Sequence, residues 1–354
     1  MSTASTAHYP ALAEISKTFA PGWFASVMGT GALALTTYSL GHLLELSVLS
    51  GLGVLLHWLN LILAAVLAVP WCLRWLRYRE AALATLQHPV QANFYPTFSI
   101  GLLVIAAQWM VIAQQPAVAL VFWWLGAVIT YLFSFAVLFA MFRGEQVGMD
   151  HVTPANFIPA VGLVVMPLAG GPLLATVDGP LREVMLLVNV LGLGAGAMMY
   201  IALLGITLFR KYLHKPAVGI LTPTVWIHLA PIGVNPVSLA NLCDQLPLPA
   251  LREVAAGVML LAWGFGVWWL VMAILLTLAA RRAGQLPFAL SWWGFIFPVG
   301  AFLTETLRLY KLFGYQSLLG FSVVVWALLV GLWLVTLGKT LRGVVTGEVF
   351  RPHP

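Results

Sequence analysis

Along this chain, apolar residues recur in unbroken runs of about 20 positions, the length at which a helix crosses the hydrocarbon of a bilayer. Ten such runs fall at 20–42, 49–71, 94–114, 117–142, 155–174, 183–209, 219–242, 250–280, 288–309 and 316–342. A β-barrel would instead alternate with period two in segments of about ten residues. The 354 residues are 61% apolar and 8% charged, whereas a soluble domain carries about 25% charge. A soluble fold of this length has too little polar surface to cover so much apolar side chain. Cytosolic enzymes, disordered chains, collagens and disulfide scaffolds are excluded on the same ground. Little sequence lies outside the runs, and none of it holds a Walker motif or a GxGxxG in a strand–helix setting, so no ATPase is expected in the chain.

The net charge of +6 reads as a topology signal rather than a nucleic-acid footprint. The two ends and the loops after runs 2, 4, 6 and 8 hold 13 of the 17 Lys and Arg, among them Arg74, Arg77, Arg79, Arg210, Lys211, Lys215, Arg281 and Arg282. Arg182, Arg252, Arg308 and Lys311 lie on the other side. The positive-inside rule then places both termini in the cytoplasm, as an even number of crossings requires. The polar N-terminal stretch lacks the pattern of a cleavable signal peptide. Cys72 and Cys243 form no CxxC pattern and are expected to be passive.

Proline recurs in the odd runs: Pro21, Pro96, Pro159 with Pro167, Pro231 with Pro236, and Pro298. Apart from Pro70 at the end of run 2, the even runs have none in their cores. The expected architecture is five helical hairpins, each with one kinked and one straight helix. A proline frees a carbonyl that lipid cannot satisfy, so the kinked helices belong inside and the straight ones outside. The odd runs also carry Gly29, Thr30, Gly31, Thr97, Asn235, Gly300 and other small or polar residues. Such residues serve either close helix packing or a polar path. Their regular alternation over five hairpins favours a path.

Few residues offer other chemistry. His57 and His228 fall well inside runs but on different helices, without an HExxH or CxxCH spacing. Each reads as a helix-packing histidine or, as the alternative, as part of a membrane enzyme or cofactor-binding subunit. Glu305 and Arg308 are three apart and can share a helix face. They read as a gating or proton-sensing pair, or as an interfacial ion pair with Arg308 reaching the headgroups. With no carboxylate evident at mid-membrane, facilitated diffusion is expected over strong proton coupling. Broken-helix N-termini and hydroxyls such as Thr30 and Thr97 can favour small anions without a buried cation. In run 9, Phe295, Phe297 and Phe302 lie close to Pro298, and each reads as a packing aromatic or a hydrophobic plug.

The stretches PGWFASVMGTG at 21–31, HPVQANFYPTFSIGLL at 88–103, PTVWIHLAPIGVNPVSLANL at 223–242 and WWGFIFPVGAF at 292–302 resemble one known family. This is the tellurite-resistance/dicarboxylate transporter family, which includes plant guard-cell slow anion channels, yeast malate permeases and fungal sulfite efflux pumps. The resemblance implies an all-α homotrimer whose protomers each hold five inner and five outer helices around a pore. It makes Phe297 the pore-occluding aromatic, with Gly29 and Gly31 opposite. The long regulatory tails of the plant channels are lacking, so kinase gating is not implied.

The resulting expectation is a non-enzymatic anion channel or transporter of a bacterial inner membrane, working without cofactor, metal or nucleic acid. Its cargo would be malate-like C4-dicarboxylates, sulfite or tellurite-related oxyanions, with proton-coupled dicarboxylate transport as the alternative. Phe297 would gate; Gly29, Thr30, Gly31, Thr97, Pro231, Asn235 and Gly300 would line the path; His228, Glu305 and Arg308 would sense protons or gate. Residues 1–18 and 344–354 would form cytoplasmic tails around a transport domain at 19–343.

Overall fold

The computed structural model describes residues 11–144, 148–214 and 219–350. Lys215 and the outermost parts of both expected tails lie outside the described residues. The helices are α1 (Leu12–Thr18), α2 (Ala25–Leu43), α3 (Ser47–Arg77), α4 (Arg79–Leu86), α5 (Pro96–Val111), α6 (Pro116–Arg143), α7 (Ile158–Leu173), α8 (Gly179–Leu213), α9 (Leu229–Cys243), α10 (Pro249–Arg282), α11 (Ile296–Phe313) and α12 (Gln316–Val345). Each apolar run holds one of these helices, and α1 and α4 are short additions. Among the described residues, seven helical segments are by length and composition able to cross a membrane: α3, α6, α8, α10, α12, and α5 and α7 with their flanking turns. The chain is thus a multi-pass membrane protein.

Burial sorts the helices into two kinds. In α3, α6, α8, α10 and α12, only 17–28% of the most apolar window is buried, against 67% and 89% in the segments containing α5 and α7. Helices α2, α9 and α11 are also buried along most of their length. The outward faces of the exposed helices are apolar, for example Phe135, Leu187, Leu261 and Val324, as contact with lipid requires. Contacts among the buried helices close on themselves: α2 touches α5, α5 touches α7, α7 touches α9, α9 touches α11, and α11 touches α2. Each buried helix also packs against the exposed helix that follows it.

All five buried helices begin the same way. A 3₁₀ turn precedes each one, at Pro21–Phe24, Gln91–Phe94, Pro154–Phe157, Gly219–His228 and Leu290–Phe295. The recurring prolines sit in or just after these lead-ins: Pro21, Pro96, Pro159, Pro231 and Pro298. That corrects the expectation that these prolines mark kinks. At a first turn the N–H has no intrahelical acceptor, so its loss breaks no hydrogen bond. Interior prolines are Pro167 and Pro172 in α7, Pro236 in α9 and, because α3 runs on to Arg77, Pro70. Pro172 withholds the amide that Leu168 O would accept four residues back. The Asn241 amide of α9 donates to that carbonyl instead, at 2.9 Å.

Indole–hydroxyl bonds tie the buried helices and their lead-ins to the exposed ones. On α12, Trp333 donates to Thr30 at 3.0 Å and Trp326 donates to Thr37 at 2.9 Å. Trp263 of α10 donates to Thr306 of α11 at 3.1 Å. Trp226 and Trp293, in the lead-ins to α9 and α11, donate outward to Thr277 of α10 and Thr340 of α12 at 2.8 and 3.1 Å. Arg74, read from the sequence as a topology signal, is a buried strut. Its guanidinium donates to Lys17 O, Phe19 O, Ala81 O and Thr85 Oγ1 at 2.6–3.0 Å, fixing α1 and α4 against α3.

Glycine sets the closest helix approach. A Cβ at Gly233 of α9 would lie 2.5 Å from the Ala301 carbonyl carbon and oxygen of α11. Backbone cannot swing aside as a side chain can. Gly233→Ala is therefore expected to cost about 1–3 kcal/mol of overpacking. Gly264→Ala, where nothing lies within 4 Å, should be neutral or slightly stabilising. Melting temperatures of the two variants in one detergent check the contrast.

Candidate functional site

Four of the lead-ins and the first turn of α7 converge on a cavity of about 970 Å³. Its wall takes Pro21, Trp23 and Met28 from the start of α2, Phe94 and Thr97 from α5, and Ile158 and Val161 from α7. Ile227 and Ala230 come from α9, and Trp293, Phe297 and Pro298 from α11. Met28, Thr97, Val161, Ala230 and Pro298 are the positions farthest along their helices that reach the wall, so the cavity closes there. Phe297 stands at that closed end, 5% exposed.

The lining has a positive bias. The first turns of five helices line the cavity, and a helix N-terminus carries about half a positive charge. Among the described residues, the charged side chains on the wall are Lys339, Arg342 and Glu348, two cations to one carboxylate. Lys339 Nζ lies 5.0 Å from the Trp292 ring centroid and 5.8 Å from that of Phe288, which holds it at the rim. Sequence reasoning counted Lys339 and Arg342 only as topology signals. Their spacing of three on the last helix put them on one face, and their end of that helix is where the buried helices begin. Together those two facts would have identified the pair.

The three phenylalanines near Pro298 separate cleanly. Phe295 packs on Trp226 and Trp292, with centroids 5.5 and 5.6 Å away. Phe302 is fully buried against Phe321, and a Cβ at Gly266 of α10 would lie 2.4 Å from its ring. Only Phe297 of the three lines the cavity. Of the other path candidates, Thr97 lies on the wall and donates to Phe94 O and Pro21 O at 2.7 and 2.8 Å, joining two lead-ins. The rest lie off it. A Cβ at Gly29 would meet Ile296, one at Gly31 would meet Val104 and Asn60, and one at Gly300 would meet Ala32. Thr30 turns toward Trp333. Pro231 occupies the first turn of α9, and its carbonyl accepts from the Asn235 amide at 2.8 Å.

Two sequence readings need correction. Arg308 forms its ion pair with Asp244, just past α9, and not with Glu305; Asp244 also faces Arg252 at 3.7 Å. The partly solvated end of the bundle hosts this charge pair at little desolvation cost. Glu305 is fully buried, and neither carboxylate oxygen has a hydrogen-bond partner among the described residues. The bundle thus does contain a buried carboxylate, because α11 continues two turns beyond it to Phe313.

The two intramembrane histidines serve separate neighbourhoods. His57 of α3 is buried against Trp109, with Gln108 beside it. His228, at the start of α9, lies between Phe157 and Trp269, its ring centroid 4.6 and 4.1 Å from theirs. Among the described residues no three His, Cys, Asp or Glu converge as metal ligands.

A positively biased cavity, built by helix N-termini inside a lipid-facing helical shell, defines a membrane transport protein for anions. Residues 18–341 match the voltage-dependent anion channel family, and the chain belongs to it. An uncharacterised transporter of Methanocaldococcus jannaschii is 42% identical, over 96% of this chain and 97% of its own length. A sulfite efflux pump of Arthroderma benhamiae is 26% identical over 94% and 92%. A malic acid transport protein of Schizosaccharomyces pombe is 20% identical over 98% and 82%. The family consists of transporters and channels, not enzymes, which removes the membrane-enzyme alternative.

The rim cations carry their own test. A charge about 10 Å from a passing anion contributes roughly 0.4 kcal/mol in water. Lys339→Gln with Arg342→Gln should lower anion flux about threefold to fourfold at low ionic strength, and the deficit should shrink as salt screens the charges. Flux measured against ionic strength reads both effects.

Proposed function

We propose that the five buried helices form an inner ring around an anion path, inside an outer ring of the five exposed helices. The observation that carries this reading is the cavity itself: every buried helix contributes its N-terminal turn, and the cavity ends at Phe297. In this reading α2, α9 and α11 cross the bilayer within the shell, giving ten crossings. The distribution of Lys and Arg directs the cavity to the cytoplasm. The family resemblance supports a homotrimer with one path in each protomer.

The cargo is a small oxyanion or dicarboxylate, of the kind moved by the sulfite and malate relatives. Helix N-termini and rim cations attract charge without offering a shape-matched pocket, and this favours small anions as a class. Phe297 closes the path as an apolar plug that an anion with its hydration shell cannot pass.

Phe297→Ala removes the plug. A barrier lowered by only ~1.4 kcal/mol raises flux about tenfold. Proteoliposome flux of chloride, nitrate, sulfite and malate, with assembly checked by size-exclusion chromatography, reads the effect. Unchanged flux in a well-assembled variant would sink the gate assignment.

Glu305 favours a second mode, proton-coupled transport, because a buried carboxylate without a partner is a natural proton carrier. Under that mode Glu305→Gln abolishes accumulation driven by a pH gradient and leaves downhill exchange intact. Accumulation that persists in the variant excludes Glu305 as the carrier.

A further inference from the structure

Past α12 the chain turns back onto the cavity of about 970 Å³. The helix stops at Val345, and Gly347, at φ +71°, takes the left-handed conformation that lets the backbone reverse. Its amide donates to Val344 O at 3.1 Å. The returning segment, Glu348–Phe350, packs against α12. Val349 covers Gly343, where a Cβ would lie 2.5 Å from the valine Cγ1. The Phe350 ring stacks on Trp23, in the lead-in to α2, with centroids 5.9 Å apart and planes at 26°. The turn on one side and these two contacts on the other hold Glu348 on the cavity wall, where it is exposed.

Lys339 and Arg342 line the same wall and are exposed as well. Among the described residues Glu348 forms no ion pair with either, so its charge acts on the water of the cavity rather than on one cation. Of α1, only the uncharged Ile15 and Thr18 reach the wall. Wall charge discriminates by valence. The energy of an anion in a potential is proportional to its own charge. Any factor by which one wall charge changes the local concentration of a monoanion is therefore squared for a dianion. A single carboxylate on an otherwise cationic rim weighs against dianions more than against monoanions.

We infer that Glu348 is a specificity-determining residue, which tilts the cavity's choice from divalent toward monovalent anions. This rests on the cavity being the mouth of the anion path. The test is initial uptake of nitrate and of malate, a dianion at neutral pH, by proteoliposomes of the full-length protein. Both anions are kept subsaturating and the ionic strength low. One charge about 10 Å away in water changes the local concentration of a monoanion about twofold. Glu348→Gln should therefore raise nitrate uptake about twofold and malate uptake about fourfold. Glu348→Lys, a change of two charges, should raise the malate-to-nitrate ratio about fourfold, and Glu348→Asp should leave that ratio at its wild-type value. Added salt should shrink the differences. A purely structural role would scale both anions alike, so an unmoved ratio in Glu348→Gln and Glu348→Lys would overturn the inference. Lys339→Gln with Arg342→Gln distinguishes that failure from failure of the path. If this pair lowers the ratio while the Glu348 series leaves it fixed, the path stands and the selector falls. If neither set moves it, the cavity is not the mouth of the path and both readings fall.

Discussion

In hydrocarbon, a backbone amide or carbonyl without a partner costs several kcal/mol. Five helices of this protein nevertheless open with 3₁₀ turns and prolines, where the regular intrahelical ladder has not yet begun. They are buried within the bundle, while five long apolar helices carry the exposed faces. The division into buried and exposed helices is therefore a consequence of backbone chemistry. A cavity is in keeping with it, since helix N-termini gathered at one end of a bundle favour water or an anion.

The shell and the interior are held in register by specific polar contacts rather than by greasy packing alone. Apolar side chains gain little from leaving lipid for one another, so small-residue approaches and hydrogen bonds decide which helix faces meet. The indole of Trp333 on the Thr30 hydroxyl and the Asn241 amide on the carbonyl freed by Pro172 both do this. Each bond is directional. A slip of one residue along either helix would strand a donor in the membrane. Polar residues on the buried helices thus serve assembly as much as transport.

That double use explains what could and could not be read beforehand. An all-helical membrane fold of long apolar segments was legible, because lipid demands such segments and forbids proline where a carbonyl would be orphaned. The role of the prolines was not, since a residue list does not reveal where intrahelical bonding begins; Pro298 reads alike as a kink or as a first-turn residue. Gly29, Thr30 and Gly31 look like a polar path in one dimension, yet they meet Ile296, Trp333 and Asn60. Composition cannot distinguish a lining face from a crossing face. Phe297 was separable from Phe295 and Phe302 only by resemblance, and the cavity wall now distinguishes it by position. Glu305 was misjudged because a short apolar run hid how far α11 continues.

The asymmetry of the cavity has an electrical corollary. It is wide and positively biased where the buried helices begin, while at the other end of the bundle Arg308 is committed to Asp244. On the proposed path, an anion arriving from the cavity side meets this positive bias before it reaches Phe297. No passive path can alter the equilibrium distribution of its cargo, but a path of this shape has unequal unidirectional conductances once saturation sets in. On the proposed path this asymmetry predicts rectification without a voltage-sensing segment.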